Sequence, residues 1–197
     1  MILAAGRSTR MGRPKALLPV DSAGVTFVEQ LARALLAGGT ADALVIGRPD
    51  DQALVDHVER MGTGVRFVAN PRADSGGQLS SILAGLQAAD RPGVKGILVV
   101  PIDLPLVSAT TVAALLAAFG SAGMPIVRAT FGGRHGHPVI FGRGVFDGLR
   151  HADPAAGAKA VLRAHEQSIL NVELEDPGIV QEVDTPEEYA RVFGRPL

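Results

Sequence analysis

The sequence predicts an α/β protein built around a mostly parallel sheet. Three observations carry that expectation. Short β-branched runs alternate with longer segments of helical period along the chain. Several of those runs are apolar throughout, as expected of strands covered on both faces. The helical segments also open on residues that cap helices.

In chain order, Met1-Ile2-Leu3 leads into Ala4-Ala5-Gly6 and reads as a first strand. A strand usually has about five residues, so either this one is very short or the true start lies upstream. Phe27 to Leu36 reads as a helix, because Thr26 and Glu29 form a capping box in front of it. Leu44-Val45-Ile46 is the next strand. A helix over Gln52 to Met61 places Leu54, Val55, Val58 and Met61 on an apolar face. Val65 to Val68 is a strand, and Ser80 to Ala89 a helix carrying Ile82, Leu83 and Leu86. Gly96 to Val100 is a strand, and Val112 to Phe119 a helix following Ser108 and the Thr110-Thr111 pair. Pro125 to Val127, Pro138 to Phe141 and Ile169 to Leu174 complete the strands. Thr185-Pro186-Glu187-Glu188 is a second capping box, with Pro at the first helical position, and it opens the last helix. In such a sheet, ligands sit at the carboxyl ends of the strands near a topological switch point. The loops that follow strands are therefore where function is expected.

Composition narrows the choice. The 197 residues suit one domain over 1–197 with a sizeable core. A net charge of −1 argues against nucleic acid as a partner. The absence of cysteine excludes disulfide scaffolds, thiol catalysis and iron–sulfur clusters. No apolar run is long enough for a membrane span, and the first residues do not read as a signal peptide, so the expected address is the cytoplasm. Only 3 of the 19 basic residues are lysine, which makes each lysine worth inspecting.

The most informative stretch is Leu3-Ala4-Ala5-Gly6-Arg7-Ser8-Thr9-Arg10-Met11-Gly12-Arg13-Pro14-Lys15-Ala16-Leu17-Leu18. Small residues after a strand let backbone N–H groups approach phosphates. Arg10 and Lys15 then offer a planar fork and a point charge for a polyphosphate. The segment lacks both the Walker Gly-Lys-Ser/Thr and the Gly-x-Gly-x-x-Gly dinucleotide fingerprint. That omission argues against an NAD-linked dehydrogenase.

The stretch resembles the signature of the nucleotidyltransferases related to the molybdenum cofactor cytidylyl- and guanylyltransferases. Their pattern is Leu-Ala-Ala/Gly-Gly-x-Ser-x-Arg-Met-Gly-x-Pro/Asp-Lys-x-Leu-Leu, and every fixed position is present here in register. The resemblance implies a three-layer α/β/α, Rossmann-like mixed sheet of the nucleotide-diphospho-sugar transferase type. It implies that Leu3, Ala4, Ala5 and Gly6 hold the nucleotide and that Arg10 and Lys15 hold the triphosphate. Ala5 matches the Ala-Ala-Gly form of the cytidylyl branch.

Further along, Gly76-Gly77-Gln78-Leu79-Ser80-Ser81 resembles the family stretch that contacts base and ribose. Ser80 or Ser81 equally suits a cap for the helix that follows. Asp103 ends a buried strand, where a lone carboxylate is costly unless it is paired or binds a metal, and its hard oxygens suit Mg²⁺. The family has Gly-Asp-Met-Pro at this point, where this chain has Ile102-Asp103-Leu104-Pro105. Asp184, in Val183-Asp184-Thr185-Pro186-Glu187-Glu188, matches a late acidic element and is the expected second metal ligand, with Thr185 as the helix cap. His137, in Gly136-His137-Pro138-Val139, is expected to contact the acceptor, while His135 lies on the same strand face. Asn70, Arg72 and Asp74 are expected to line the base pocket.

The implied reaction is Mg²⁺-dependent transfer of a nucleoside monophosphate from a nucleoside triphosphate, first of all CTP, to a phosphorylated acceptor such as molybdopterin. The product would serve a molybdenum hydroxylase. A sugar-1-phosphate nucleotidyltransferase and a non-catalytic nucleotide-binding accessory protein are the alternatives.

Overall fold

A computed structural model describes residues 1–197. Its strands are β1 (Ile2–Leu3), β2 (Ala43–Gly47), β3 (Val65–Ala69), β4 (Gly96–Pro101), β5 (Ile126–Phe131), β6 (Arg134–Gly142) and β7 (Ile169–Glu173). Its helices are α1 (Phe27–Ala37), α2 (Gln52–Arg60), α3 (Gly77–Ala89), α4 (Ala109–Ala122), α5 (Phe146–Arg150), α6 (Ala158–Ala164) and α7 (Pro186–Phe193).

The strands form one sheet in the order β3-β2-β1-β4-β6-β5-β7. β6 alone runs against the others, antiparallel to both β4 and β5. Helices cover both faces, so the molecule has three layers. Core residues of α1, α2, α4 and α7 pack on one face, around Phe27, Leu54, Val112 and Tyr189. On the other face Leu79, Ile82 and Leu86 of α3 pack with Phe146 and Leu149 of α5 and Val161 of α6. The continuous apolar runs of β2 and β4 follow from this, since both sides of those strands are buried.

The first strand has two residues, Ile2 and Leu3. It still holds its place, because Ile2 pairs with both Val45 and Val100, and the Ala4 N–H extends the ladder to the Ile46 carbonyl at 2.8 Å. Both capping boxes form as predicted, Thr26 with Glu29 and Thr185 with Glu188. Ser108 caps α4, which runs almost one turn earlier and almost one turn later than its apolar pattern indicates.

Three expectations need correction. The helix placed at Ser80 begins at Gly77, so neither Ser80 nor Ser81 is its cap. A side chain on Gly76 would meet Ser80 Cβ at 2.4 Å, so that close approach admits only glycine. The strands placed at Pro125–Val127 and Pro138–Phe141 are longer and form a hairpin. Gly132 (φ +57°) and Gly133 (φ +74°) make its two-residue turn, which needs positive φ at both positions. The short helices α5 and α6 were not anticipated, because each is under two or so turns and shows little period. No helix is long and apolar enough to cross a membrane, and no large apolar side chain is exposed.

Candidate active site

β1, β2 and β3 succeed one another in one direction across the sheet, and β4 lies on the other side of β1. The connections therefore diverge between β1 and β4, and a crevice opens above that point. It is a cavity of about 390 Å³, within the usual range for small-molecule sites. Leu3, Ala5, Gly6, Arg10, Lys15, Ser81, Asp103 and Asp184 are all on its wall.

The glycine-rich loop is held from below. Met11 is buried in the core, and the Ser8 carbonyl accepts from the Met11 and Gly12 N–H groups at 3.0 and 3.2 Å. The Ser8 hydroxyl accepts from the Lys15 N–H at 3.2 Å, folding the loop back on itself. Lys15 starts a short 3-10 turn behind Pro14 and is almost fully buried. Its ammonium donates to Asp184 Oδ1, and Arg10 Nη2 donates to Asp184 Oδ2 at 2.5 Å. Leu3, Ala5 and Gly6 face the cavity, whereas the Ala4 side chain turns into the core and only its backbone is on the loop.

The two aspartates come together through the main chain. The Val183 N–H donates to the Asp103 carbonyl at 2.8 Å, which lays the Asp184 segment beside the end of β4. Glu188 of α7 accepts from the Asp184 N–H at 2.7 Å and from the Thr185 N–H at 3.1 Å, so the cap of α7 also sets Asp184. A third brace is Asp176. Its carboxylate accepts from the Ser108 N–H and hydroxyl and from the Thr111 hydroxyl, at 3.1, 2.8 and 2.6 Å.

Electrostatics differ between the pair. Burial pushes the Asp103 carboxyl up to about 6; Lys15 pulls it down, while Asp184 and Glu182 push it further up. For Asp184, burial is outweighed by Lys15 and Arg10, which hold the carboxyl below its usual range. Two carboxylates facing a cationic loop suit a hard divalent ion that keeps water and phosphate among its ligands. No group of three or more His, Cys, Asp or Glu residues is placed to hold a metal unaided. The donor set thus fits an ion that arrives with its phosphates.

The β3–α3 loop differs from expectation. Asn70 does not line the cavity. It is 1% exposed, and its amide donates to the Ser80 and Ser81 hydroxyls at 2.8 and 3.0 Å while its Oδ1 accepts from the Arg72 N–H. Ser81 reaches the cavity wall, and Ser80 instead donates to the Gly77 carbonyl at 2.8 Å. Asp74 is engaged by two arginines, Arg7 at 2.9 and 3.0 Å and Arg48 at 2.7 and 2.9 Å. This clasp ties the glycine-rich loop to the β3–α3 loop, and Asp74 and Arg72 are both outside the cavity lining. Gln78 and Thr9 are on the wall and were not anticipated; no charge or spacing singles them out. The Arg7–Asp74–Arg48 clasp and Asp176 were missed too, because their partners are distant in sequence.

His137 is half-buried at the start of β6, with its Nδ1 against the Val99 carbonyl at 3.4 Å. Burial pushes its imidazole below the usual range despite that bond. It stands beside the cavity rather than on its wall.

The family comparison gives this cavity its chemical class, that of a nucleotidyltransferase. The chain matches the MobA-like NTP transferase domain over residues 1–169, and it belongs to that family. It is similar to the purine catabolism protein PucB of Bacillus subtilis, 26% identical over 98% of this chain and 94% of that one. It is also similar to the molybdenum cofactor guanylyltransferase of Rhizobium meliloti, 30% identical over 88% of this chain and 78% of that one. Among solved structures, a nucleotidyl transferase from Methanothermobacter thermautotroptrophicus superposes with a TM-score of 0.78 at 25% identity, covering 98% of this chain and 94% of that one. Rv0371c of Mycobacterium tuberculosis in complex with manganese superposes at 0.70 and 25% identity, over 98% of this chain and 96% of that one.

Proposed function

We propose that the protein transfers a nucleoside monophosphate from a nucleoside triphosphate to a phosphorylated acceptor of the molybdopterin class and releases pyrophosphate. The observation that carries this reading is the convergence of Lys15, Arg10, Asp103 and Asp184 on one switch-point cavity. The backbone of Leu3, Ala4, Ala5 and Gly6 would cradle the nucleotide, with Ser81 on the ribose side. Asp103 and Asp184 would hold Mg²⁺, which when bound supplies charge compensation for the triphosphate and the incoming phosphate. Lys15 and Arg10 would leave Asp184 for the departing pyrophosphate. An acceptor phosphate with a second pKa near ~6 is largely deprotonated at neutral pH, so no protein base is needed. The chain's contribution is then alignment and preorganised charge. His137 would stand on the acceptor side, and the product would pass to a molybdenum hydroxylase.

For the base we favour CTP. Ala5 lines the cavity, where a glycine would leave more room, and less room suits a pyrimidine. The guanylyltransferase relatives favour GTP as the second reading. Pyrophosphate release with each of the four nucleoside triphosphates, Mg²⁺ and a molybdopterin preparation tests both. Release with CTP, moving toward GTP in Ala5→Gly, is the expected outcome. Release only with a sugar 1-phosphate would replace the acceptor, and tight nucleotide binding without release would leave a non-catalytic binder.

A further inference from the structure

Beyond the cavity, the sheet carries a second polar feature on the same face. Val99 of β4 pairs with Val139 of β6, Val139 with Arg128 of β5, and Arg128 with Asn171 of β7. These four residues form one row across four strands. Val99 and Val139 belong to the core under α3, α5 and α6, as does Ile126, two residues before Arg128. By strand alternation Arg128 therefore points to the face that α3 covers, the face from which Ser81 meets the cavity. His137 precedes Val139 on β6, and its Nδ1 lies 3.4 Å from the carbonyl of Val99, at the β4 end of that row.

Arg128 is half-buried, and neither group that fixes it is a carboxylate. Its Nε donates to Asn171 Oδ1 at 3.0 Å, and its Nη2 is 3.1 Å from His135 Nε2, which accepts in the Nδ1–H tautomer. No carboxylate lies within ion-pair distance of it, in contrast to Arg7, Arg10, Arg48, Arg143 and Arg150. Glu173, nearby on β7, spends its carboxylate on the Gly132 N–H. Burial disfavours the Arg128 charge, and Glu166 offsets this only at a distance. The result is an aligned guanidinium with its Nη1 donors unspent and its charge unneutralised by the protein. Such a group suits a planar oxygen acceptor from outside.

The position gives the ligand. Arg128 stands two strands from β4, or about 10 Å at the spacing of neighbouring strands. We propose that Arg128, aligned by Asn171 and His135, binds the far end of the acceptor, taking a ring-carbonyl oxygen two strands across the sheet from β4, about 10 Å at the spacing of neighbouring strands. This rests on the nucleotidyl-transfer reading and adds to it the place and chemistry by which the acceptor is chosen.

The test uses two fluorescent heterocycles, pterin-6-carboxylate and 6-hydroxymethylpterin, titrated into the full-length protein, which has no tryptophan to interfere. Arg128→Gln is expected to weaken pterin-6-carboxylate at least tenfold and leave the affinity for CTP or GTP with Mg²⁺ unchanged. Loss of affinity for both pterins is the expected pattern, since both carry the ring carbonyl; loss for pterin-6-carboxylate alone, whose carboxylate sits where the phosphate arm attaches, overturns the far-end placement. Asn171→Ala, which keeps the charge but removes its alignment, is expected to weaken binding three- to fivefold and decides the matter if Arg128→Gln does not fold. An unchanged affinity in the variants, or no binding of either pterin to the wild-type protein, overturns the proposal. Failure of the wild-type protein to bind any nucleotide overturns the transfer reading instead.

Discussion

The two halves of the sheet treat charge differently. In the β1–β4 half every functional cation has an acid: Lys15 and Arg10 share Asp184, and Arg7 and Arg48 share Asp74. In the β5–β7 half Arg128 is held by an amide and an imidazole and faces no acid. The first arrangement suits a ligand that brings both anions and a cation, because a metal–triphosphate complex can exchange partners with an ion-paired cluster at little net change in charge. The second suits a ligand end that brings oxygen acceptors without a metal. On the proposed reading, one half would serve the group that every nucleoside triphosphate shares, the other whatever distinguishes one acceptor from the next.

The largest effect that separates the halves is expected at Lys15. Lys15→Ala should lower turnover on the order of 10²- to 10³-fold, as for loss of one preorganised charge donor, while far-ultraviolet circular dichroism is unchanged. Turnover near that of the wild type would move the triphosphate site elsewhere. Next is the metal pair: Asp103→Asn should raise the Mn²⁺ concentration for half-saturation at least tenfold, read by calorimetry in the presence of CTP. An unaltered titration would remove Asp103 from the site.

The same group gives a pH dependence with a defined sign. The Asp103 carboxyl is raised from 3.8 to about 6 in the folded protein. Metal binding must displace its proton, so affinity should rise with pH and level off above about 6. Stability runs the other way. A raised folded pKa contributes fully below about 4 and is lost as pH climbs through about 6, a contribution of roughly 3 kcal/mol. Asp103→Asn should therefore flatten both curves, as followed by calorimetry and by urea melts at pH 5 and 7. The smallest effect is expected from the exposed clasp. Asp74→Asn should raise the nucleotide KM about two- to fivefold with kcat unchanged, since exposed ion pairs contribute little beyond positioning.

The legibility of these halves in the sequence differs for physical reasons. Phosphate binding by a loop requires small residues, a tight turn and cations at fixed spacing, so the Leu3–Lys15 stretch displays its purpose locally. Asp103 was visible because a carboxylate at the end of an apolar strand is anomalous in itself. The alternation of apolar runs and capped helices disclosed the α/β class. A mixed sheet is implied by the resemblance, but that β6 is the antiparallel strand is not legible, although Gly132-Gly133 marks its turn, because Pro138–Phe141 reads as a buried strand of either direction. Asn70 and Asp74 were placed at the base pocket because polar loop residues after a strand suggest ligand contact. Asn70 is instead consumed by Ser80 and Ser81, and Asp74 by Arg7 and Arg48. Arg128 drew no notice, since a lone arginine in a strand acquires meaning only from the neighbours that register supplies.

The main-chain bond from Val183 to Asp103, with the Glu188 brace behind it, has a consequence for biogenesis. The glycine-rich loop leaves the ribosome well before the acid that receives Lys15 and Arg10, which lies beyond the span matched by the family model. On the proposed reading, a nascent chain can therefore assemble most of its sheet before the two cations have their acid, and cleavage between β7 and α7 would take that acid away again.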